Sequence, residues 1–343
     1  MTVVKWKNRR DAFVEALSYL KNRQSGLITS IKTPWERFND ASTDGLEWNT
    51  TTVIGGRPSS GKTLIKDQII REAFILNPLS KFRVLEFQFE MLGKTAVIRE
   101  YVSLLNEGLI GAPKTYKYLC SADKSVGKLT AQDYEKCRLY AKEKLNSGEG
   151  KNCIDLVEDP CTVEEFKQIV SAYLESHSAI NEKKEKVYTN TIVTLDHSLL
   201  LKKGPGEKDK FDTLYALGEA VTYLKRKYPI IFIILSQLNR DIDKPERNED
   251  GKYGNFILES DIFGSDALLQ HADILIGINR PGKQKIQLYG VDRFMIQDET
   301  IMAMHFLKCR NGNPRLSFFK TEFEKMKIKE IEPPPKQERR RQI

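Results

Sequence analysis

The sequence predicts an α/β protein: a largely parallel, twisted sheet flanked by helices, with an antiparallel hairpin near its end. Three observations lead there. Five short apolar runs, Thr51–Gly55, Phe82–Phe89, Thr191–Leu195, Ile230–Leu235 and Ile274–Ile278, are separated by helix-like segments, the alternation that parallel strands with helical crossovers require. The first run enters a glycine-rich turn, Gly56-Arg57-Pro58-Ser59-Ser60-Gly61-Lys62-Thr63, and then a helical stretch ending at Asn77-Pro78. Near the end, Ile301–Cys309 and Arg315–Phe319 flank Asn311-Gly312, a strong hairpin signal.

The composition fits such a fold. The chain has 343 residues, 40 % of them hydrophobic, including 16 Phe, 13 Tyr and 3 Trp, which excludes a disordered or collagen-like chain and leaves one or two domains open. The longest strongly apolar stretch, Pro229–Leu235, is far short of the roughly 18–20 residues of a membrane span, and the N-terminus MTVVKWKNRR has no signal-peptide apolar region. A cytoplasmic protein without a membrane partner is expected. The five cysteines include no CxxC pair, so neither a disulfide framework nor a thiolate zinc site is suggested. A net charge of +8 suits a polyanionic partner without specifying one.

From the N-terminus, Asp11–Asn22 places Phe13, Ala16, Leu17 and Leu20 on one helical face. The polar stretch that follows offers this face little to pack on, so residues 1–33 read as an arm and linker helix. The segments 115–151 and 162–188 are charged and helix-like, with no chemistry assigned to them. The main domain is expected over 34–322. The remainder, 323–343, with Pro333–Pro335 and Arg339–Arg341, reads as a disordered basic tail.

The chemistry begins at the glycine-rich turn, which satisfies GxxxxGK[ST] in a strand-to-helix context. The glycines let backbone N–H groups close around phosphates, Lys62 can reach the β- and γ-phosphates, and the Thr63 hydroxyl can bind Mg²⁺. The expected cofactors are therefore ATP and Mg²⁺. Along 84–90 the side chains alternate, with Glu86, Gln88 and Glu90 on one face. Glu90, at the strand's C-terminal end where parallel sheets bind ligands, is the candidate base for an attacking water, with Glu86 as its rival. Asp196 ends the strand Thr191–Leu195 and is the candidate metal ligand. Ser236 and Gln237 end another and suit sensing of a γ-phosphate. Lys308 and Arg310, two apart on an expected strand, point to one face and suit a phosphate, in a neighbouring subunit's nucleotide or in nucleic acid. Lys202 and Lys203 lie in a lysine-rich loop suited to a nucleic-acid backbone.

The segments GRPSSGKT, FQFEM, LDHSLLL, LSQLNR, GSDALLQHAD and LKCRNG, taken in order from about Asp11 to Phe319, resemble the motifs of DnaB-like replicative helicases; LDH and LKCR look more like the helicase half of phage primase-helicases. The resemblance implies a RecA-like ATPase ring, a homo-hexamer, that couples Mg-ATP hydrolysis to translocation on single-stranded DNA and duplex unwinding in bacterial or phage replication. It further implies Lys62 and Thr63 on phosphate and Mg²⁺, Glu90 as catalytic base, Asp196 on the metal and Gln237 linking nucleotide state to a DNA loop. Lys308 and Arg310 match the family's trans-acting sensor and arginine finger, and the first helix its subunit-docking linker.

Two departures from the family pattern stand out. Where its DNA loop carries Arg and then Gly, this chain has Phe263 and Asp266 around Gly264 and Ser265; the loop's N–H groups can still hold phosphates and Phe263 can stack on a base. Roughly 10 residues precede the linker helix, too few for a DnaB-type N-terminal domain or a fused primase, so a separate primase and a helicase loader are expected partners. Two other readings stay open: a RecA-like DNA-binding ATPase without unwinding activity, and a catalytically weak structural ring protein.

Overall fold

Apolar runs buried on both faces can satisfy their backbone only by pairing with one another, and here they do so at the centre of a nine-stranded sheet. The computed structural model describes residues 8–123, 125, 127–146, 153–244, 247, 256–332 and 334–337. In chain order the strands are β1 (Thr51–Gly56), β2 (Arg83–Gln88), β3 (Ile154–Val157), β4 (Ser178–Ile180), β5 (Lys186–Tyr188), β6 (Thr191–Asp196), β7 (Ile230–Gln237), β8 (Ile274–Asn279), β9 (Leu288–Tyr289), β10 (Phe294–Met295), β11 (Ile301–Cys309), β12 (Leu316–Glu322) and β13 (Lys327–Glu330). The helices are α1 (Arg9–Gln24), α2 (Glu36–Ala41), α3 (Lys62–Leu76), α4 (Gly93–Asn106), α5 (Tyr116–Cys120), α6 (Ala131–Asn146), α7 (Val163–Ser176), α8 (Lys210–Lys227) and α9 (Ser265–His271).

The sheet order is β13-β12-β11-β8-β1-β7-β6-β2-β3, with β8 through β3 parallel and β11, β12 and β13 added antiparallel at one edge. Strand alternation divides the core in two. Ile231, Ile233 and Leu235 of β7 pack with α2, α3 and the Ile31–Trp35 segment, while Ile230, Phe232 and Ile234 pack with α7, α8 and α9. Crossovers of this kind bring the C-terminal ends of β1, β2, β6 and β7 to one edge of the sheet.

Two expectations are corrected. The chain does not become a disordered tail at 323: Phe323–Lys325 is a helical turn and β13 pairs with β12. Ile328 is held from both sides, its N–H donating to Gln68 Oε1 at 2.8 Å and its carbonyl accepting from Gln68 Nε2 and Trp35 Nε1, each at 3.1 Å. Arg339–Arg341 lie outside the described residues. Helical structure ends at Ser176 rather than Tyr188, because the Asn181 side chain accepts from the Lys183 and Glu185 N–H groups and turns the chain into the β4–β5 hairpin. In the late hairpin, Gly312 is required by proximity as well as by the turn: a Cβ there would lie 2.1 Å from the Ala41 carbonyl oxygen.

Helix α1 exposes its apolar face as expected, with Phe13, Leu17 and Leu20 each more than half exposed. Residues just after it belong to the core, since Ile31 is fully buried and bridges Leu46. No helix among the described residues is long and apolar enough to cross a membrane.

At the other edge of the sheet, Asp273 ties three elements together. Its carboxylate accepts from the Thr51 N–H at 2.9 Å, from Lys225 Nζ and from Arg310 Nη1 at 3.2 Å. Removing a buried partner of a cation leaves charge uncompensated, so Asp273→Ala is expected to cost about 3–5 kcal/mol. Urea denaturation checks this, and a loss under about 0.5 kcal/mol contradicts it.

Candidate functional site

The P-loop forms because Gly61 takes φ +105°, a left-handed conformation, directly before α3, and because a Cβ there would press within 2.8 Å of Met302 Cε. Gly61 caps α3 without a side-chain hydrogen bond, leaving the helix's first N–H groups free for an anion. Lys62 folds back over the loop, and its Nζ donates to the Gly56 and Arg57 carbonyls, both at 2.8 Å. Burial brings its pKa down to about 8, against the pull of Asp196 and Glu90. Arg57 pairs with Asp243 at 2.5 Å, joining the P-loop to the segment that follows Gln237.

A cleft of about 690 Å³ opens over this loop, and Lys62, Thr63, Glu90, Asp196 and Gln237 all line it. Residues more than 100 apart thus converge through the parallel topology, since Gly56 pairs with Gln237 and Gln88 with Asp196. Asp196 is 4 % exposed, and burial pushes its carboxyl up, opposed by Lys66 and by a hydrogen bond with the Thr63 side chain. Its Oδ1 has no hydrogen-bond partner among the described residues. A bare buried carboxylate oxygen beside a threonine hydroxyl is a hard-oxygen donor set that fits hydrated Mg²⁺.

Glu90 lies at the cleft mouth and is exposed, open to an incoming water. Its rival Glu86 is buried behind it, bound to the fully buried Lys66 at 3.2 Å and to Gln88 Nε2 at 3.0 Å. Burial raises the Glu86 carboxyl and Lys66 opposes that rise. The two carboxylates therefore differ in access, which the alternation of β2 alone does not decide.

The cleft also holds residues to which the sequence alone assigns no role. His197 follows Asp196 across a cis peptide bond, its Nε2 lies 3.5 Å from Gln237 Nε2, and burial lowers its pKa against the pull of Glu90 and Asp196. Arg280 sits over the Phe323 ring at 4.4 Å, and this pair lines the cleft with Met326. A flat cation-aromatic surface of this kind suits a nucleobase. Arg280 follows the end of β8, and Phe323 and Met326 come from the expected tail, so no local pattern connects these three to the P-loop, whereas His197 belongs to the LDHSLLL segment.

Lys308 and Arg310 are near one another, but not by strand alternation. Register slips between Phe306 and Lys308, and β11 ends at Cys309, so Arg310 lies in the following turn. Lys308 Nζ donates to the Leu269 carbonyl at 2.5 Å, and Arg310, more than half exposed, pairs with Asp273. Arg310 is level with Thr51, at the sheet edge opposite its own P-loop, while Lys308 is level with Val53 and its ammonium is tied to α9. The six residues of β1 put roughly 17 Å between those edges.

Phe263 is not a free stacking ring, because it stacks on Phe211, centroids 5.0 Å apart and planes 27° from parallel, and packs on the α8–α9 core. Its N–H donates to the Gln237 carbonyl at 2.8 Å, and Gly264 turns the chain into α9 with φ +68°. Ser265 opens that helix. Lys202 and Lys203 are exposed in the loop leading to Phe211, so the stack brings the lysine loop and the Phe263 loop together. Nothing in the sequence distinguishes Phe211.

A family model for the DnaB-like helicase C-terminal domain matches residues 30–329. This chain belongs to the DnaB-like helicase family. Among solved structures, an ATPase domain matches with a TM-score of 0.72 at 18 % identity, over 96 % of this chain and 100 % of that one. A DnaB-like replicative helicase, solved in a study of its interactions with primase, matches with a TM-score of 0.68 at 17 % identity, over 95 % of this chain and 72 % of that one. Both likenesses establish the RecA-like fold. A search of curated proteins gave no match.

The depressed Lys62 pKa gives a signed expectation for this DnaB-like domain. Around pH 8 the Lys62 ammonium of the nucleotide-free protein is close to its titration point, and a phosphate beside it raises its pKa again, so ATP binding takes up protons. Calorimetry in buffers of different ionisation enthalpy measures the uptake. No proton exchange, or release, contradicts it.

Proposed function

We propose that this protein is a ring-forming, ATP-dependent DNA helicase of replicative type. The observation that carries the reading is the convergence of Lys62, Thr63, Glu90, Asp196 and Gln237 on one cleft. The P-loop N–H groups and Lys62 bind the phosphates, and Thr63 and Asp196 hold Mg²⁺, which neutralises phosphate charge when bound. Glu90 takes the proton of the attacking water. Arg280 and Phe323 receive the base.

The γ-phosphate still needs a cation from outside the P-loop. Arg310 cannot reach its own cleft across roughly 17 Å of sheet, and Lys308 is tied to the Leu269 carbonyl, which favours service of both to a neighbour's nucleotide in a head-to-tail ring, a homo-hexamer. The exposed apolar face of α1 suits docking on that neighbour. Nucleotide state reaches DNA through Gln237, whose side chain lines the cleft while its carbonyl holds the Phe263 N–H. Single-stranded DNA then tracks Lys202, Lys203 and the Phe211–Phe263 stack beside Gly264 and Ser265. A separate primase and a loader are the expected partners, in bacterial or phage-infected cytoplasm.

Strand displacement on forked DNA with a 5′ or a 3′ tail tests the reading. DNA-stimulated ATPase without displacement would favour a non-unwinding ATPase, and nucleotide binding without turnover a structural ring. Lys62→Ala is expected to abolish turnover, and Glu90→Gln to block hydrolysis while retaining nucleotide binding; equal loss of affinity in both contradicts the assignment.

Action in trans has its own test. Arg310→Ala and Glu90→Gln, each inactive alone, are mixed under subunit exchange, and random mixing rebuilds roughly a quarter of the interfaces. ATPase restored in the mixture is the expected result. Tandem-linked dimers carrying the two substitutions in defined order separate action in cis, the contradicting result, from stalling of the whole ring.

A further inference from the structure

Gln88 and Asp196 are paired residues of the parallel β2–β6 ladder, so their side chains leave the sheet on the same face, about 5 Å apart. Both are at least 96 % buried, Gln88 being 3 % and Asp196 4 % exposed. Each has one oxygen, Gln88 Oε1 and Asp196 Oδ1, without a hydrogen-bond partner among the described residues. Buried acceptors left bare are costly, so each of these oxygens calls for a donor that the described residues do not supply.

The orientation of the Gln88 amide is fixed by its surroundings. Nε2 donates to Glu86 Oε2 at 3.0 Å, and Glu86 Oε1 accepts from Lys66 Nζ at 3.2 Å. Lys66, fully buried, is anchored on its other side by Asp67 at 2.8 Å. A carboxylate paired with an ammonium accepts and does not donate, so it holds the amide nitrogen and turns Oε1 away.

Resting on the ATPase reading above, we propose that Gln88 is a positioning residue for the metal ion: its Oε1 accepts a hydrogen bond from the hydration shell of the Mg²⁺ held by Thr63 and Asp196. The Lys66–Glu86 pair keeps the amide oxygen, not the nitrogen, toward that shell. Mg²⁺ retains several of its waters in protein sites, and each is a strong donor, which answers both bare oxygens at once. Lys66 and Glu86 thereby acquire a task beyond packing, although neither touches the ion.

The test measures binding of a fluorescent, non-hydrolysable ATP analogue to the full chain, in EDTA and across a Mg²⁺ titration. Gln88→Met keeps the volume but removes the acceptor. Glu86→Gln keeps the shape and acts indirectly: Lys66 still takes the oxygen of the introduced amide, so the new amide nitrogen faces Gln88 and turns its oxygen inward, presenting a donor to the metal's waters. Both variants are expected to bind the analogue normally in EDTA and to need about tenfold more Mg²⁺ for half-saturation, the loss of one charge-assisted hydrogen bond. A wild-type Mg²⁺ response in the two variants, with Asp196→Asn defective, overturns the role of Gln88 and leaves the ATPase reading standing. Equal weakening with and without Mg²⁺ also overturns it, by showing the column to be structural. Should Asp196→Asn retain the wild-type Mg²⁺ response, the metal site itself falls, and this role with it. If Gln88→Met fails to fold by circular dichroism, Glu86→Gln decides alone.

Discussion

Everything in this molecule is referred to β1. Six buried residues carry the chain from the Asp273 hub at one edge of the sheet to the P-loop at the other, with β8 and β7 paired in register on either side. That strand sets the order of the site, because the ends of its parallel neighbours must emerge beside the P-loop. It also fixes what the site lacks. Arg310 is bound to the same aspartate whose backbone N–H bonds to Thr51, at the start of β1, and is therefore held away from its own cleft.

A parallel sheet thus makes chemistry and its absence out of one geometry. The cleft gathers a buried carboxylate, an exposed carboxylate, a lysine depressed by burial and a P-loop helix with free N–H groups. Its polar machinery continues inward as a buried column, Gln88, Glu86 and Lys66, where a purely apolar core would have sufficed. Buried charge of this kind gives little net stability, which is why its presence next to a reactive site calls for a functional explanation.

Much of this is legible in the sequence. The central strands announce themselves as unbroken apolar runs because both faces are buried, and the P-loop, Asp196 and Gln237 follow from where those runs end. Glu86 and Glu90 share a face by alternation, but only the packing of α3 on β2 shows that Lys66 claims the first and leaves the second open. Strand β13 has no such signature, because its four residues alternate with lysine and derive their order from Trp35 and Gln68, some 260 or more positions away. Phe323 and Arg280 are invisible for the same reason. Phe263 looks free in the sequence because its partner Phe211 belongs to α8, far from it along the chain. Local pattern reports burial and alternation, whereas pairing between distant segments has no local signature.

The most direct measurement is a structure of the assembled protein with a non-hydrolysable ATP analogue and Mg²⁺. If the sheet places Arg310 for a neighbour, its guanidinium will have left Asp273 of its own chain, or extended past it, to lie within about 3 Å of the γ-phosphate bound to the adjacent subunit's Lys62. An occupied P-loop whose γ-phosphate meets only residues of its own chain, with every Arg310 remote from any nucleotide, would contradict the central claim.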